Sequence, residues 1–424
     1  MKLLAIGDIH LGRSPTRVPE GCGLHPFCLG SSAAWQRIVD QAIQQEVDVI
    51  VFTGDVVESN RDFFEAYRVL NEGIKKLKRQ GIRVVGIAGN HDFSVLPRLS
   101  EKLSHFTLLG SGGVWERLEL DGVTLHGYSF PTKQMTKNPL QHVRFNRGPG
   151  LNMGLLHCDR DRSDTQTVYA PVSSKDLFYA QLDYWLLGHI HKPDALSIDE
   201  GGYLGCVTSM DANDTGDLGP WLYVVKCGAI ISLTHWVLAP FRIEIVQLNL
   251  SDLVEIEKAR DALLEKIKLL ADKLQHALVP PKVVSLSVQL KGFTRLGSKV
   301  QEMFQRDRQE VLFIDRETSY FMANCTDCTC PEVVLKECAR RSDPPGLLAH
   351  LLLLLESPSQ DEKIDVVDRA IAHINHIFKK RHWGQSLCGA LDRDNHLNRA
   401  ETIDLLRRAG LRLLREMLDQ KREV

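Results

Sequence analysis

The segment Lys2-Leu3-Leu4-Ala5-Ile6-Gly7-Asp8-Ile9-His10, KLLAIGDIH, carries a short apolar run into a glycine and then into two polar side chains. Residues i and i+2 of an extended chain point to one side, so Asp8 and His10 share a face. The same grammar recurs downstream: VDVIVF from Val47 ends in Thr53-Gly54-Asp55, RVVGIA from Arg83 ends in Gly89-Asn90-His91-Asp92, and NMGLL from Asn152 ends in His157. Tyr184-Trp185-Leu186-Leu187-Gly188 ends in His189-Ile190-His191, followed by Lys192-Pro193. Between the early runs, Ala34 to Glu46 and Phe63 to Gln80 carry helical spacing. Short, continuously apolar strands alternating with helices indicate α/β units whose strands are buried on both faces. From Thr124 onward VTLHGYSF, NMGLLH, YWLLGH, LYVVK and ISLTHWVLAPFRIEIVQL follow closely, which predicts a second, more antiparallel sheet. The resulting fold is α/β, a β-sandwich flanked by helices.

After about residue 245 the rhythm changes. Leu253, Ile256, Leu263, Ile267, Leu270 and Leu274 fall at spacings of three, four or seven, the pattern of one long amphipathic helix. Pro280-Pro281 stops it. Val284, Leu286, Val288 and Leu290 then alternate as a half-buried strand, and a short helix at Ser298–Gln305 and a strand at Val311–Ile314 complete a small α+β domain. Residues beyond it read as helices. The last opens at Asn398-Arg399-Ala400-Glu401, a cap with a glutamate three residues on, and puts Ile403, Leu406, Leu413, Leu414 and Met417 on one face. The expected domains are therefore 1–245, 246–330 and 331–424.

Bulk properties exclude several classes. The chain has 424 residues, 25% charged and 43% hydrophobic, with a formal charge of −2, so a uniformly basic nucleic-acid coat is ruled out. Contact with nucleic acid would fall to local patches such as Lys379-Lys380-Arg381-His382-Trp383 and the arginines running to Arg415. MKLLAIGDIH is interrupted by Asp8 too early for a signal peptide, and Leu347–Leu355 falls short of the roughly 20 residues of a membrane span. A soluble cytoplasmic protein without membrane contact is expected. Ten scattered cysteines fit a reducing compartment. Cys325, Cys328 and Cys330 admit a zinc reading, but their single Cys-x-x-Cys lacks a second spaced pair.

The five strand endings matter most. The carboxyl ends of α/β strands are where ligand-binding side chains collect. Two carboxylates, several imidazoles and one amide oxygen suit manganese, iron or zinc better than calcium. So many ligands exceed the needs of one ion and suit two sharing a carboxylate, about 3.5–4 Å apart across a phosphate. Taken singly, Asp8 and Asp55 also read as loop or cap residues and Asn90 as a turn residue. His25, His105, His126, His142, His235 and His350 lack such a context and read as surface or ordinary core residues. The loop Ser14–Ser32, which contains Cys22, His25 and Cys28, is expected at the mouth of the site.

The ordered set D-x-H, GD, GNHD, a lone H and GHxH resembles the calcineurin-like metallophosphoesterase superfamily over residues 1 to about 225. That resemblance implies one ion held by Asp8, His10 and His191, a second by Asn90, His157 and His189, and Asp55 bridging both. It makes His91 the histidine that assists the leaving oxygen, with Asp92 orienting it. DIHLGR at Asp8–Arg13, GLLHC at Gly154–Cys158 and DYWLLGHIHKP at Asp183–Pro193 resemble the SbcD and YhaO groups of DNA repair exonuclease subunits. In that family a cap domain narrows the DNA cleft and a helical tail docks on the coiled coil of an SbcC-like ATPase. The resemblance thus implies a manganese-dependent DNA nuclease with DNA and such an ATPase as partners, and a homodimer. The alternatives are a small-molecule phosphodiesterase or phosphatase on the same centre, and a scaffold or regulatory subunit. The sequence departs from the family at Glu58, where many members carry histidine or aspartate, at Gly205-Cys206-Val207, and in the length of the Ser14–Ser32 loop.

Overall fold

The computed structural model describes residues 1–15, 18–161, 168–251, 253–292, 294, 296–308, 310–329, 335–356, 367–373 and 399–420. The basic stretch Lys379–Trp383, Cys330 and Asn398 lie outside them. Two compact units are present. The first comprises Met1–Val246, Leu263–Val288 and Asp307–Asn324; the second comprises Gln247–Ala262, Gln289–Arg306 and Cys325–Val424.

In the first unit β1 (Lys2–Ile6), β2 (Val49–Thr53), β3 (Arg83–Ile87) and β4 (Phe106–Leu108) lie side by side and parallel. A second group follows: β5 (Trp115–Leu120), β6 (Val123–Tyr128), β7 (Leu151–His157), β8 (Tyr184–Gly188) and β9 (Gly202–Tyr203) form one five-stranded sheet in that order. The hairpin β10 (Trp221–Lys226) and β11 (Ala229–His235) extends the first sheet, giving the order β11-β10-β1-β2-β3-β4. The second sheet is not the antiparallel one expected. Only β5 and β6 pair antiparallel, whereas β6 to β9 run parallel. The reason lies in the connections: 22 residues or more separate β6 from β7 and β7 from β8, long enough for crossovers, and the closely spaced strands β10 and β11 went to the other sheet.

Alternation along each strand sorts side chains between layers. Leu3 and Ala5 of β1, Val49 and Val51 of β2, and Val85 and Ile87 of β3 meet Leu125, Met153, Leu155 and Leu186 of the second sheet in one buried cluster. Their neighbours Leu4, Ile6, Ile50, Phe52 and Val84 face the other way. They pack with Trp35, Ile38, Leu70 and Ile74 of the helices α1 (Ser31–Gln44) and α2 (Phe63–Arg79). Fully burying an aliphatic or aromatic side chain contributes about 1.5–3 kcal/mol, so these layers hold the strand ends in register. Trp185, Leu156 and Leu187 cover the outer face of the second sheet together with Tyr128 and Leu177.

Strands β12 (Phe241–Asn249), β13 (Val283–Lys291), β14 (Val311–Asp315) and β15 (Thr318–Asp327) form a third sheet in the order β12-β13-β15-β14. The middle of the Ser14–Ser32 loop packs here, with Val18, Cys22 and Leu24 against Phe241, Val283 and Phe321, while near its end Ser31 Oγ donates to the His10 carbonyl at 2.9 Å. In the second unit, Leu411 and Leu414 of the helix Arg399–Gln420 are buried with Ala349, Leu352 and Leu355 of the helix Pro344–Glu356. Leu413, expected on the same stripe, is 49% exposed. No helix among the described residues is long and apolar enough to cross a membrane.

Candidate metal centre

Asp8 and His10 follow β1, Asp55 follows β2, Asn90 follows β3, His157 ends β7, and His189 and His191 follow β8. The carboxyl ends of two parallel runs, one from each sheet, therefore deliver their side chains to one place. Asp8, Asp55, His10 and His157 are almost entirely buried, although charged side chains seldom are unless partnered. The Asp8 carboxylate accepts the main-chain N–H of His189 at 3.0 Å, tying the first sheet to the second. His157 Nδ1 lies 3.1 Å from the Thr53 carbonyl, and its Nε2 lies 2.9 Å from Asn90 Oδ1 and 3.3 Å from Asp55 Oδ2.

The backbone is bent to achieve this. His10, Asp55 and His189 have φ of 48°, 47° and 102°, a region non-glycine residues rarely occupy. Such conformations cost on the order of 1–3 kcal/mol each and concentrate at functional sites. The glycines beside the ligands make room for the ligands themselves. A Cβ on Gly54 would stand 2.6 Å from His157 Nδ1, and one on Gly89 would stand 2.3 Å from Asp55 Oδ1.

Ligand atoms fall into overlapping groups within 4.8 Å of one another: Asp8 with His10 and His191, Asp55 with His157 and His189, and His10 with Asp55 and His91. Two ions sharing Asp55 fit this donor set, and the mixture of carboxylate and imidazole suits a borderline divalent cation. Burial drives the Asp55 carboxyl upward, yet the surrounding rings of His157, His10 and His91 more than reverse that and hold it well below the usual carboxylate range. For His157, burial disfavours the charged ring but the Asp55 carboxylate outweighs it and drives the ring up. A carboxylate set among imidazoles and an imidazole set against a carboxylate each favour the charged form of the other.

Behind the clustered histidines stand three carboxylates, of which the sequence singled out only Glu58. Glu58 Oε2 is 2.7 Å from His10 Nδ1, Asp214 Oδ1 is 3.2 Å from His191 Nδ1, and Asp159 Oδ1 is 3.4 Å from His189 Nε2. Hydrogen-bonded partners such as Glu58 and Asp214 fix which ring nitrogen is left for a metal. Asp214 comes from a loop without a strand-end motif, whereas Asp159 stands two residues past His157 at the end of β7.

His91 sits at the rim, its side chain 39% exposed. Its main-chain N–H donates to Asp55 Oδ1 at 2.9 Å, and its Nδ1 lies 3.1 Å from the Glu58 carbonyl. Asp92, expected to orient that ring, is engaged elsewhere. Its carboxylate accepts the N–H groups of Gly89 and Val56, both at 2.7 Å, and so braces the two ligand loops together. Burial, then the nearby Asp55 charge, pushes Asp92 up to about 7. His126 Nε2 lies 3.0 Å from Asn152 Oδ1, and His235 stacks on Trp221, both away from the cluster. Cys325 is buried on β15 and Cys328 is exposed, and no zinc group forms around them among the described residues.

Residues 1–193 match the family described as calcineurin-like phosphoesterase. The chain is 27% identical over 205 residues to the uncharacterized metallophosphoesterase YhaO of Bacillus subtilis, covering 47% of this chain and 50% of the relative. It is 24% identical over 215 residues to the DNA double-strand break repair protein Mre11 of Methanopyrus kandleri, covering 46% and 45%. Against the protein of the same name from Sulfolobus acidocaldarius it is 21% identical over 300 residues, covering 69% and 75%. The chain thus spans about half the length of the first two of these relatives.

Proposed function

Taking residues 1–193 as a calcineurin-like phosphoesterase domain, we propose that the chain is a two-ion phosphodiesterase acting on DNA ends, with manganese as its working metal. The observation that carries this reading is the convergence of Asp8, His10, Asp55, Asn90, His157, His189 and His191 from five strand ends on one buried, cation-seeking cluster. Asp8, His10 and His191 would hold one ion, Asn90, His157 and His189 the other, and Asp55 both. When bound, two such ions neutralise the phosphate and lower the pKa of water.

The protein's own groups do the rest. The strained turns at His10, Asp55 and His189 hold their side chains inward before substrate arrives, so little reorganisation remains for the reaction. His91, whose Nδ1–H donates to the Glu58 carbonyl, would as the imidazolium give its Nε2 proton to the departing oxygen and be left neutral. DNA as substrate is supported by the likeness to two proteins named as double-strand break repair proteins. A coiled-coil ATPase is the partner we propose for the second unit. Leu347 and Leu351 of the helix Pro344–Glu356 are 64% and 47% exposed, apolar surface on which such a partner would dock.

The test is cleavage of end-labelled linear DNA by the full chain with manganese, beside a His189→Ala control and a small phosphodiester. Metal-dependent DNA degradation missing from the control supports the reading. Turnover of the small diester with no DNA cleavage, even after addition of candidate ATPases, would move the substrate to a small molecule.

A further inference from the structure

Glu58 occupies the loop after β2, three residues beyond Asp55, and touches both a proposed metal ligand and the proposed leaving-group histidine. We propose that Glu58 is the positioning residue of the centre, holding His10 through its side chain and His91 through its main chain. The inference rests on the two-ion reading above.

The contacts divide cleanly. Glu58 Oε2 lies 2.7 Å from His10 Nδ1, so the proton of the neutral ring is drawn to Nδ1. The lone pair then sits on Nε2, the atom that lies 3.8 Å from Asp55 Oδ2 and 3.3 Å from His191 Nε2. The same carboxylate oxygen is farther from His91 Nδ1, at 3.7 Å, whereas the Glu58 carbonyl oxygen is 3.1 Å from it. Main chain and side chain therefore have different clients.

Both halves of this device are anchored. The Glu58 N–H donates to the Leu11 carbonyl at 3.0 Å and the Leu11 N–H to the Val56 carbonyl at 2.8 Å, pinning the loops after β1 and β2 together. Truncating the side chain leaves that carbonyl where it is. The carboxylate stands 3.9 Å from Arg13 Nε, and Arg13 Nη2 is 2.8 Å from Asp211 Oδ1. The Asp211 N–H in turn donates to Asp214 Oδ2 at 2.8 Å, and Asp214 is the partner of His191. Arg13 thus links the two carboxylates that back His10 and His191, the two imidazoles of one ion position.

Side-chain length matters as well as charge. An aspartate at 58 would fall short of His10 by roughly one C–C bond, about 1.5 Å. Glutamine keeps the reach and an accepting oxygen but not the charge. The order of effect is therefore Ala and Asp largest, Gln smaller.

The experiment is calorimetric titration of Mn²⁺ into the ion-free full chain, for wild type and Glu58→Ala, Glu58→Asp and Glu58→Gln, with circular dichroism confirming the fold. Wild type should take up two ions. Glu58→Ala and Glu58→Asp should weaken one of them by roughly 10–100-fold, Glu58→Gln by less, and cleavage of a small phosphodiester lost at low Mn²⁺ should return as Mn²⁺ is raised. Unchanged Mn²⁺ affinity in Glu58→Ala would overturn the proposal. So would a turnover number still down by more than about 100-fold at saturating Mn²⁺, because the carboxylate would then serve the reaction rather than the ligand. Wild-type protein that takes up no Mn²⁺ would instead overturn the two-ion reading itself.

Discussion

The two halves of the centre are built from different materials. On one side Asp8, His10 and His191 combine a carboxylate with two imidazoles, and each imidazole is backed by a further carboxylate, Glu58 or Asp214. On the other side Asn90 replaces the carboxylate with a neutral amide, and His157 is backed by the Thr53 carbonyl instead of an acid. Asp159, behind His189, adds charge there, and Asp8 reaches His157 Nδ1 only at 3.9 Å. Asp55 serves both halves. The first position should therefore hold a divalent cation more strongly than the second, because its surroundings carry more negative charge at short range.

The largest effect should come from the residue the halves share. Asp55→Asn should reduce phosphodiester cleavage by more than about 10⁴-fold, as both positions lose a charge worth several kcal/mol of stabilisation. A loss confined to one bound ion would show instead that Asp55 belongs to one half. Next comes His91→Ala, which should lower turnover by roughly 10²–10⁴-fold while Mn²⁺ uptake stays at the wild-type level. Lost uptake would make His91 a ligand.

Removal of the backing carboxylates separates the halves more finely. Asp214→Asn should weaken one ion by roughly 10–100-fold, and Asp159→Asn should act on the other ion by a similar factor. Identical titration curves for the two variants would break the asymmetry. The smallest effect is on thiol chemistry. Burial drives the thiols of Cys158, next to His157, and Cys206, whose N–H donates to the His191 carbonyl, well above their usual range. In native protein both should resist alkylation for as long as the fold persists, while the exposed Cys28, Cys227 and Cys328 react readily. Rapid labelling of Cys206 alone would mean that its half opens on its own.

The same contrast explains what the sequence disclosed. Strand β1 was legible residue by residue because Lys2–Ile6 is a short apolar run closed by glycine, and β2 and β3 nearly so. The clustering of Asp8, His10, Asp55, Asn90, His157, His189 and His191 was legible because each stands at or just beyond such a closure. Asp214 was not, since a carboxylate in a loop looks the same whether it faces water or an imidazole 23 residues away; Asp159, two residues past His157, was passed over because the reading of that strand end stopped at the histidine. Asp92 was misplaced for a related reason: adjacency to His91 in the chain suggested contact, but its buried oxygens were needed by main-chain N–H groups. The second sheet was read as antiparallel because strand spacing alone does not reveal which strands leave to join another sheet. Strand β15 went unread, its apolar core at Tyr320–Met322 being flanked by Thr, Ser, Asn and Cys.

The measurement that bears most directly on the central claim is electron paramagnetic resonance of the full chain loaded with Mn²⁺, wild type beside Asp55→Asn. Two ions joined through one carboxylate are magnetically coupled. The account predicts two bound ions per chain with a coupled spectrum that Asp55→Asn abolishes. A single ion, or two ions with uncoupled spectra in the wild type, would contradict it.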